Sequence, residues 1–226
     1  MRNRLFRGQW LAVVLLLGTV HRGAAQETKG QPGPAGMDRA KVAYRGGMVS
    51  PPLPKPKFTL TDTSSAAFDL GSKTQGYATL VFFGYTNCPD MCPLQMRTIA
   101  QALRELPAGI ANQFKVVFVT TDPDRDTPQV LRTYLDGFDK SFIGLTGTQA
   151  AIDAAQIAAH MPPAKKSAAR PNGAYDVGHG VFVLAYTKDN LAHMVYPVGV
   201  KKEDLAHDLG YLANETWASR SPLAGF

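Results

Sequence analysis

Cysteine is scarce in this chain: there are two in 226 residues. A disulfide scaffold is thereby excluded, and the core must close by ordinary packing of apolar side chains. Long apolar runs are scarcer still. The run Trp10 to Leu17 sits in an uncharged stretch of 14 residues, from Gly8 to His21, where a spanning helix needs about 17–25. A multi-pass membrane protein is excluded. An excess of one charge is missing too. The formal charge is +6, from 24 basic and 18 acidic residues, but Arg2, Arg4, Arg7 and Arg22 lie in the first 25 residues, which contain no acid. The remainder holds 20 basic against 18 acidic residues, or +2, which is no basic stripe for reading nucleic acid. With 45% hydrophobic residues, the chain is neither collagen-like nor wholly disordered, and its length fits one or two domains.

The first 25 residues read as an export segment. Arg2, Arg4 and Arg7 form a cationic head, Trp10 to Leu17 an apolar centre, and Gly23, Ala24 and Ala25 a small-residue stretch suited to cleavage after Ala25. The segment is expected to be either a cleaved signal peptide or a retained N-terminal anchor. No cysteine lies near the cleavage point, so a lipid-modified cysteine is not expected. Either way the working domain faces an oxidising extracytoplasmic compartment, such as the bacterial periplasm, where two thiols must be protected, liganded or paired. Residues 26–56 are rich in Pro and Gly and are expected to be a linker.

From residue 57 the pattern becomes that of a folded domain, expected to run to about 220. Phe58 to Asp62 alternates like a short strand, and Ala78 to Phe83 is a continuous apolar run, as in a strand buried on both faces. Pro93 to Leu106 has helical spacing of its apolar residues, and Lys115 to Thr120 reads as a second buried strand. Thr127-Pro128 opens a helix, with Thr127 as N-cap. Ala150 to Ala159 is helical, His160 to Gly178 a long loop, Val181 to Thr187 and Leu191 to Tyr196 a hairpin, and Lys201 to Ser219 a closing helix. Strand–helix–strand–helix followed by a hairpin and a helix predicts an α/β domain: a thioredoxin-like three-layer fold with a mixed central sheet flanked by helices.

Both cysteines fall at one strand-to-helix junction, in Gly84-Tyr85-Thr86-Asn87-Cys88-Pro89-Asp90-Met91-Cys92-Pro93. Positions i and i+4 share a helix face, so both sulfurs can converge on one point. A helix N-terminus lowers thiol pKa and favours the thiolate, the form that binds metal and attacks disulfides. Inert buried cysteines would be the bland reading. Of the active ones, a thiol–disulfide oxidoreductase usually spaces its cysteines one residue closer. A metal site needs a further ligand, and two thiolates with one imidazole favour copper over closed tetrahedral zinc.

Four histidines lie beyond the export segment, which holds His21. His193 alternates within a strand and His207 lies on the closing helix, where packing or solvated surface is expected. His160 sits at a helix end. His179 follows Gly178 at the mouth of a sheet strand, in the loop that crosses the active-site helix of a thioredoxin-type fold, where oxidoreductases carry a cis-proline. Spacing alone leaves open whether it completes a metal site.

The stretches Phe82 to Pro93 (FFGYTNCPDMCP), Thr121 to Tyr134 (TDPDRDTPQVLRTY), Phe142 to Gly147 (FIGLTG) and Tyr175 to His179 (YDVGH) together resemble the Sco (SenC) family of copper-binding proteins. The resemblance runs from about Phe58 to Tyr196. It implies a thioredoxin-like fold that binds copper, as Cu(I) and Cu(II), through Cys88, Cys92 and His179. It also implies that Asp122 lies near the metal as a supporting group or occasional ligand. The reading of Asp122 as a strand-end turn residue stays open beside that, and Asp124, Arg125, Asp126 and Thr127 are expected to make a salt-linked turn and helix cap. Met91 and Met96 are soft donors that a helix more often uses as core filler. One departure is Gly180, where the family usually has a small hydroxyl residue. Another is the N-terminal apolar run, shorter than a membrane span.

The implied function is a metallochaperone that supplies copper to the dinuclear centre of cytochrome c oxidase. Its partner would be the oxidase's copper-centre subunit, with other copper chaperones or thiol reductases as further partners. Two alternatives remain: a reductase of the oxidase's own cysteines, with Cys88 and Cys92 as a redox-active disulfide, and a copper or redox sensor. Lys165, Lys166 and Arg170 are expected either to steer docking onto an acidic partner face or to be plainly solvated.

Overall fold

The computed structural model describes residues 44–215 and Trp217. The export segment and most of the expected linker lie outside the described residues. In chain order the elements are β1 (Gly47–Pro54), β2 (Thr59–Asp62), β3 (Ala67–Asp69), α1 (Leu70–Lys73), β4 (Ala78–Gly84), α2 (Met91–Glu105), α3 (Ala108–Ala111) and β5 (Phe114–Thr120). There follow α4 (Pro128–Asp136), β6 (Ile143–Thr146), α5 (Gln149–Ala158), β7 (Lys165–Lys166), β8 (Val177–Gly178), β9 (Phe182–Tyr186), β10 (Leu191–Pro197) and α6 (Lys202–Leu212). Eight strands form one sheet in the order β1-β10-β9-β4-β5-β6-β2-β3, and β7 pairs with β8 as a separate ribbon. The β4–β5 and β5–β6 pairs are parallel and the remaining pairs antiparallel, so the sheet is mixed.

The apolar run at β4 is explained by its place at the centre. Leu80 and Phe82 pack into one core with Met96 and Ile99 of α2, Leu131 and Leu135 of α4, and Leu205 and Leu209 of α6. Val81 and Phe83 point into a second core with Val117 and Val119 of β5, Leu145 of β6, and Ile152 and Ala155 of α5. Successive side chains of a strand leave opposite faces, so a strand covered on both sides must be apolar throughout. The three layers expected from the element order are present, and among the described residues no helix is long and apolar enough to cross a membrane.

Two expectations change. The linker expected over 26–56 does not extend across its C-terminal part, because β1 pairs antiparallel with β10. Pro51 and Pro52 fall in a register shift between Met48 and Leu53. Proline is tolerated there because an edge strand has a side that needs no N–H donor. The closing helix, expected to reach Ser219, ends at Leu212. Trp217 instead stacks face to face on His193, with ring centroids 3.8 Å apart, and on Tyr44 at 5.8 Å. The long loop from His160 to Gly178 is partly ordered by the β7–β8 ribbon, in which Lys165 pairs with Gly178 and Lys166 with Val177.

Candidate metal and dithiol site

The chain leaves β4 at Gly84, turns through Tyr85 to Pro89, and enters α2 at Met91. The turn is pinned from beneath by Asp126, whose buried carboxylate accepts the Thr86 N–H at 3.0 Å, the Thr86 hydroxyl at 2.5 Å and the Thr120 hydroxyl at 2.6 Å. Thr127 caps α4 as its sequence predicts, accepting the Val130 N–H at 3.3 Å.

Cys88 therefore lies in the turn, not on the helix, and the shared-face argument places it only approximately. The Cys92 N–H donates to its sulfur at 3.4 Å, so Cys88 Sγ satisfies one free amide of the helix start, while the N-cap residue Asp90 makes no side-chain cap bond. Both cysteines are free, Cys88 partly exposed and Cys92 buried. The expected thiol acidity is not met at Cys92. Burial pushes its pKa well above the usual thiol range, and the Tyr85 N–H directed at the sulfur only partly offsets this.

His179, at position 87 residues beyond Cys92, is brought to it: its Nε2 stands 3.7 Å from Cys92 Sγ. The other ring nitrogen, Nδ1, is 2.9 Å from the Gly180 carbonyl. A proton on Nδ1 donated to that carbonyl leaves the Nε2 lone pair facing the sulfur, the tautomer a soft metal requires. Phe82 and Tyr85 stand edge-on to the imidazole, at centroid distances of 6.3 and 5.8 Å. Burial among them lowers the His179 pKa, with the Gly180 bond opposing, and so favours the neutral ligating form. Among the described residues no set of three or more His, Cys, Asp or Glu side chains is yet gathered tightly enough to hold a metal. What is preformed is the Cys92–His179 pair, with Cys88 engaged on the neighbouring amide.

Two glycines beside this pair are tightly enclosed. A Cβ at Gly84 would lie 2.8 Å from Phe82 Cε1 and 3.0 Å from Cys92 Sγ. A Cβ at Gly180 would lie 2.8 Å from Met161 Cε and 3.0 Å from Phe182 Cε1, so the hydroxyl residue usual at that place in the family does not fit here without Met161 yielding. Gly84, Tyr85, Asp126 and the Gly180 carbonyl carry no chemical motif of their own, and their roles appear only when the chain is folded.

Asp122 is fully buried at the end of β5. Its carboxylate accepts from Arg125 Nε and, at 2.8 Å, from the Tyr175 hydroxyl, with Lys166 Nζ 3.4 Å away. It meets the loop that carries His179. Met96 is buried core and Met91 half exposed. His193 is buried against Asp189 at 2.8 Å, His207 pairs with Asp208 at 2.9 Å, and His160 takes a left-handed backbone just past α5. Two of the three loop cations are paired, Lys166 with Asp122 and Asp124 and Arg170 with Asp176, while Lys165 is exposed.

The chain is similar to several known proteins. A protein of Stutzerimonas stutzeri named for copper binding is 33% identical over 147 residues, 63% of this chain and 70% of that one. Other relatives match over less of their length, the SCO2-like protein of Rickettsia prowazekii over 44% at 38% identity. The solution structure of apo Sco1 from Thermus thermophilus superposes with a TM-score of 0.67 at 30% identity, covering 75% of this chain and 97% of that one. Copper-bound ScoI of Bradyrhizobium japonicum does so with a TM-score of 0.63 at 31% identity, covering 71% and 99%. The description of the SCO1/SenC family matches residues 49–214, and the chain belongs to that family.

Proposed function

We propose that this protein carries one copper ion as cargo on Cys88, Cys92 and His179, and hands it on in an extracytoplasmic compartment to the dinuclear copper centre of cytochrome c oxidase. The observation that carries the reading is the 3.7 Å approach of His179 Nε2 to Cys92 Sγ, at a helix start that also holds Cys88. Two soft sulfurs and one imidazole are a donor set suited to Cu(I). Two thiolates with Cu(I) sum to one negative charge, which the free amides and dipole of the α2 N-terminus stabilise. Copper draws the Cys88 sulfur from the Cys92 amide and drives off the Cys92 proton that burial otherwise retains. An open three-donor site releases its ion by exchanging donors one at a time with a partner's.

The test is an anaerobic Cu(I) titration of the reduced protein against a competing chelator. One copper per chain is expected. Cys88→Ser or Cys92→Ser should abolish tight binding, and His179→Ala should weaken it by more than about 100-fold. Equal copper retention in His179→Ala and His193→Ala would defeat the ligand assignment. The reductase alternative draws on one observation: Cys88 is partly exposed and Cys92 buried, the asymmetry of an attacking and a resolving thiol.

A further inference from the structure

The ribbon β7–β8 ends at Gly178, and His179 is the next residue. Glycines flank the imidazole on both sides, so the backbone beside it has little side-chain anchorage of its own. Val177 of the ribbon is buried in the core, the Ala164 N–H just before it donates to Gln156, and a clamp built on Asp122 adds a charged anchor. Oδ1 of that buried carboxylate accepts the Tyr175 hydroxyl at 2.8 Å and lies 3.4 Å from Lys166 Nζ, while Oδ2 accepts from Arg125 Nε. Lys166 stands on β7, and Tyr175 lies two residues before β8. Arg125 closes the clamp from the other side, with its guanidinium 3.8 Å from the centre of the Tyr175 ring and Nη1 donating to the Tyr175 carbonyl at 3.4 Å. One charged acceptor just past β5 thus holds the approach to β8 and, together with Asp124 at 2.6 Å from Lys166 Nζ, the β7 arm of the segment that delivers the histidine.

We propose that Asp122, Arg125 and Tyr175 form a positioning set: they clamp the ribbon so that the His179 imidazole is already aimed at Cys92, and Asp122 itself is not a ligand. Both carboxylate oxygens accept donors from this set, which gives the buried charge partners other than a metal. A histidine on a loose ribbon would have to be ordered at the moment of binding. A clamped one has met that cost on folding, which slows its departure from a bound ion. The consequence for copper rests on the proposed function, whereas the clamp is a property of the metal-free chain.

Two measurements on the full chain separate the two. Tyr175→Phe removes one hydroxyl and leaves the ring under Arg125. In the metal-free protein it should speed amide hydrogen exchange across residues 165–178 while leaving β4 and β5 unchanged. In the Cu(I)-loaded protein it should quicken release to a chelator by about 10-fold, with one copper per chain retained. Combined with His179→Ala, it should add nothing to the release rate, because the clamp acts only through the histidine. Unchanged exchange at 165–178, or an equal acceleration in the His179→Ala background, would overturn the positioning role. If His179→Ala releases copper at the rate of the unaltered protein, the three-ligand reading is what fails, and the exchange measurement still decides the clamp.

Discussion

Gly84 shows how closely the site depends on what is left out of it. Gly84 ends β4 under the Cys92 sulfur, and the atoms that a Cβ there would meet belong to buried rings and to the sulfur itself. None of them can swing aside as a long flexible side chain would. Gly84→Ala is therefore expected to destabilise the fold by about 1–3 kcal/mol and to weaken copper binding by displacing Cys92, measured by thermal unfolding and chelator competition. Lys55 is a different case, a buried cation held by the Thr74 and Thr79 hydroxyls at 3.1 Å each. Burial lowers its pKa to about 8 from 10.5, with Asp189 opposing. Between those two values the unfolded chain keeps a proton that the folded chain has lost, so Lys55 makes stability rise as pH climbs from about 8 to 10.5, and the cost of its buried charge is fully present below pH 8. Thr74 still donates to the Leu70 carbonyl at 2.6 Å without the amine. Lys55→Met should therefore stabilise the protein at pH 7 by about 1–2 kcal/mol and remove its share of the alkaline rise, read from denaturant melts across that range. A melt difference that stays constant from pH 7 to 11 would contradict this.

At the scale of elements, the sequence revealed what periodicity and capping control. The central strands β4 and β5, the helix behind the cysteines and the Thr127 cap follow from local residues, because burial on two faces and an N-cap leave direct marks on composition. β1 did not show itself, since its prolines and glycines read as linker until β10 supplies the pairing edge. The cysteine pair was legible as a junction, and His179 as a candidate. The meeting of imidazole and sulfur, by contrast, depends on a loop whose course is set by Asp122, Arg125 and Tyr175 acting together. β1 has an anchor of the same hidden kind. Asp208 of α6 is fully buried and accepts the Arg45 N–H at 3.0 Å, the Gly46 N–H at 2.9 Å and the Tyr196 hydroxyl at 3.1 Å. Asp208→Ala leaves those donors without an acceptor and should cost about 3 kcal/mol. Proteolysis should then begin near residues 44–54, before the centre of the sheet is attacked. Asp208→Asn, which keeps one carbonyl acceptor, should lose less.

For the whole molecule, function turns on how the loaded site meets its partner. On the loop beside His179, Lys166 pairs with Asp122 and Asp124 and Arg170 with Asp176, which leaves Lys165 as the one cation of that trio without an ion pair among the described residues, and so only one charge there for long-range steering. Met91 and Leu94, both about half exposed on the first turn of α2 next to the cysteines, offer apolar surface at the same end. Under the proposed function, transfer to the oxidase subunit should accordingly depend only weakly on ionic strength, since apolar contacts are not screened by salt. The three candidate roles separate in cells. If the protein delivers copper, its loss should lower the activity of copper-containing cytochrome oxidase most when copper is scarce, because unassisted loading fails first at low metal. Added copper should then restore the activity at least in part, and a Cys88→Ser chain should not complement. A defect cured by a small-molecule thiol and indifferent to copper would assign the dithiol to reduction of the oxidase's cysteines instead. Normal oxidase activity in copper-starved cells without the protein would remove both roles and leave the Cys88, Cys92 and His179 site to sensing.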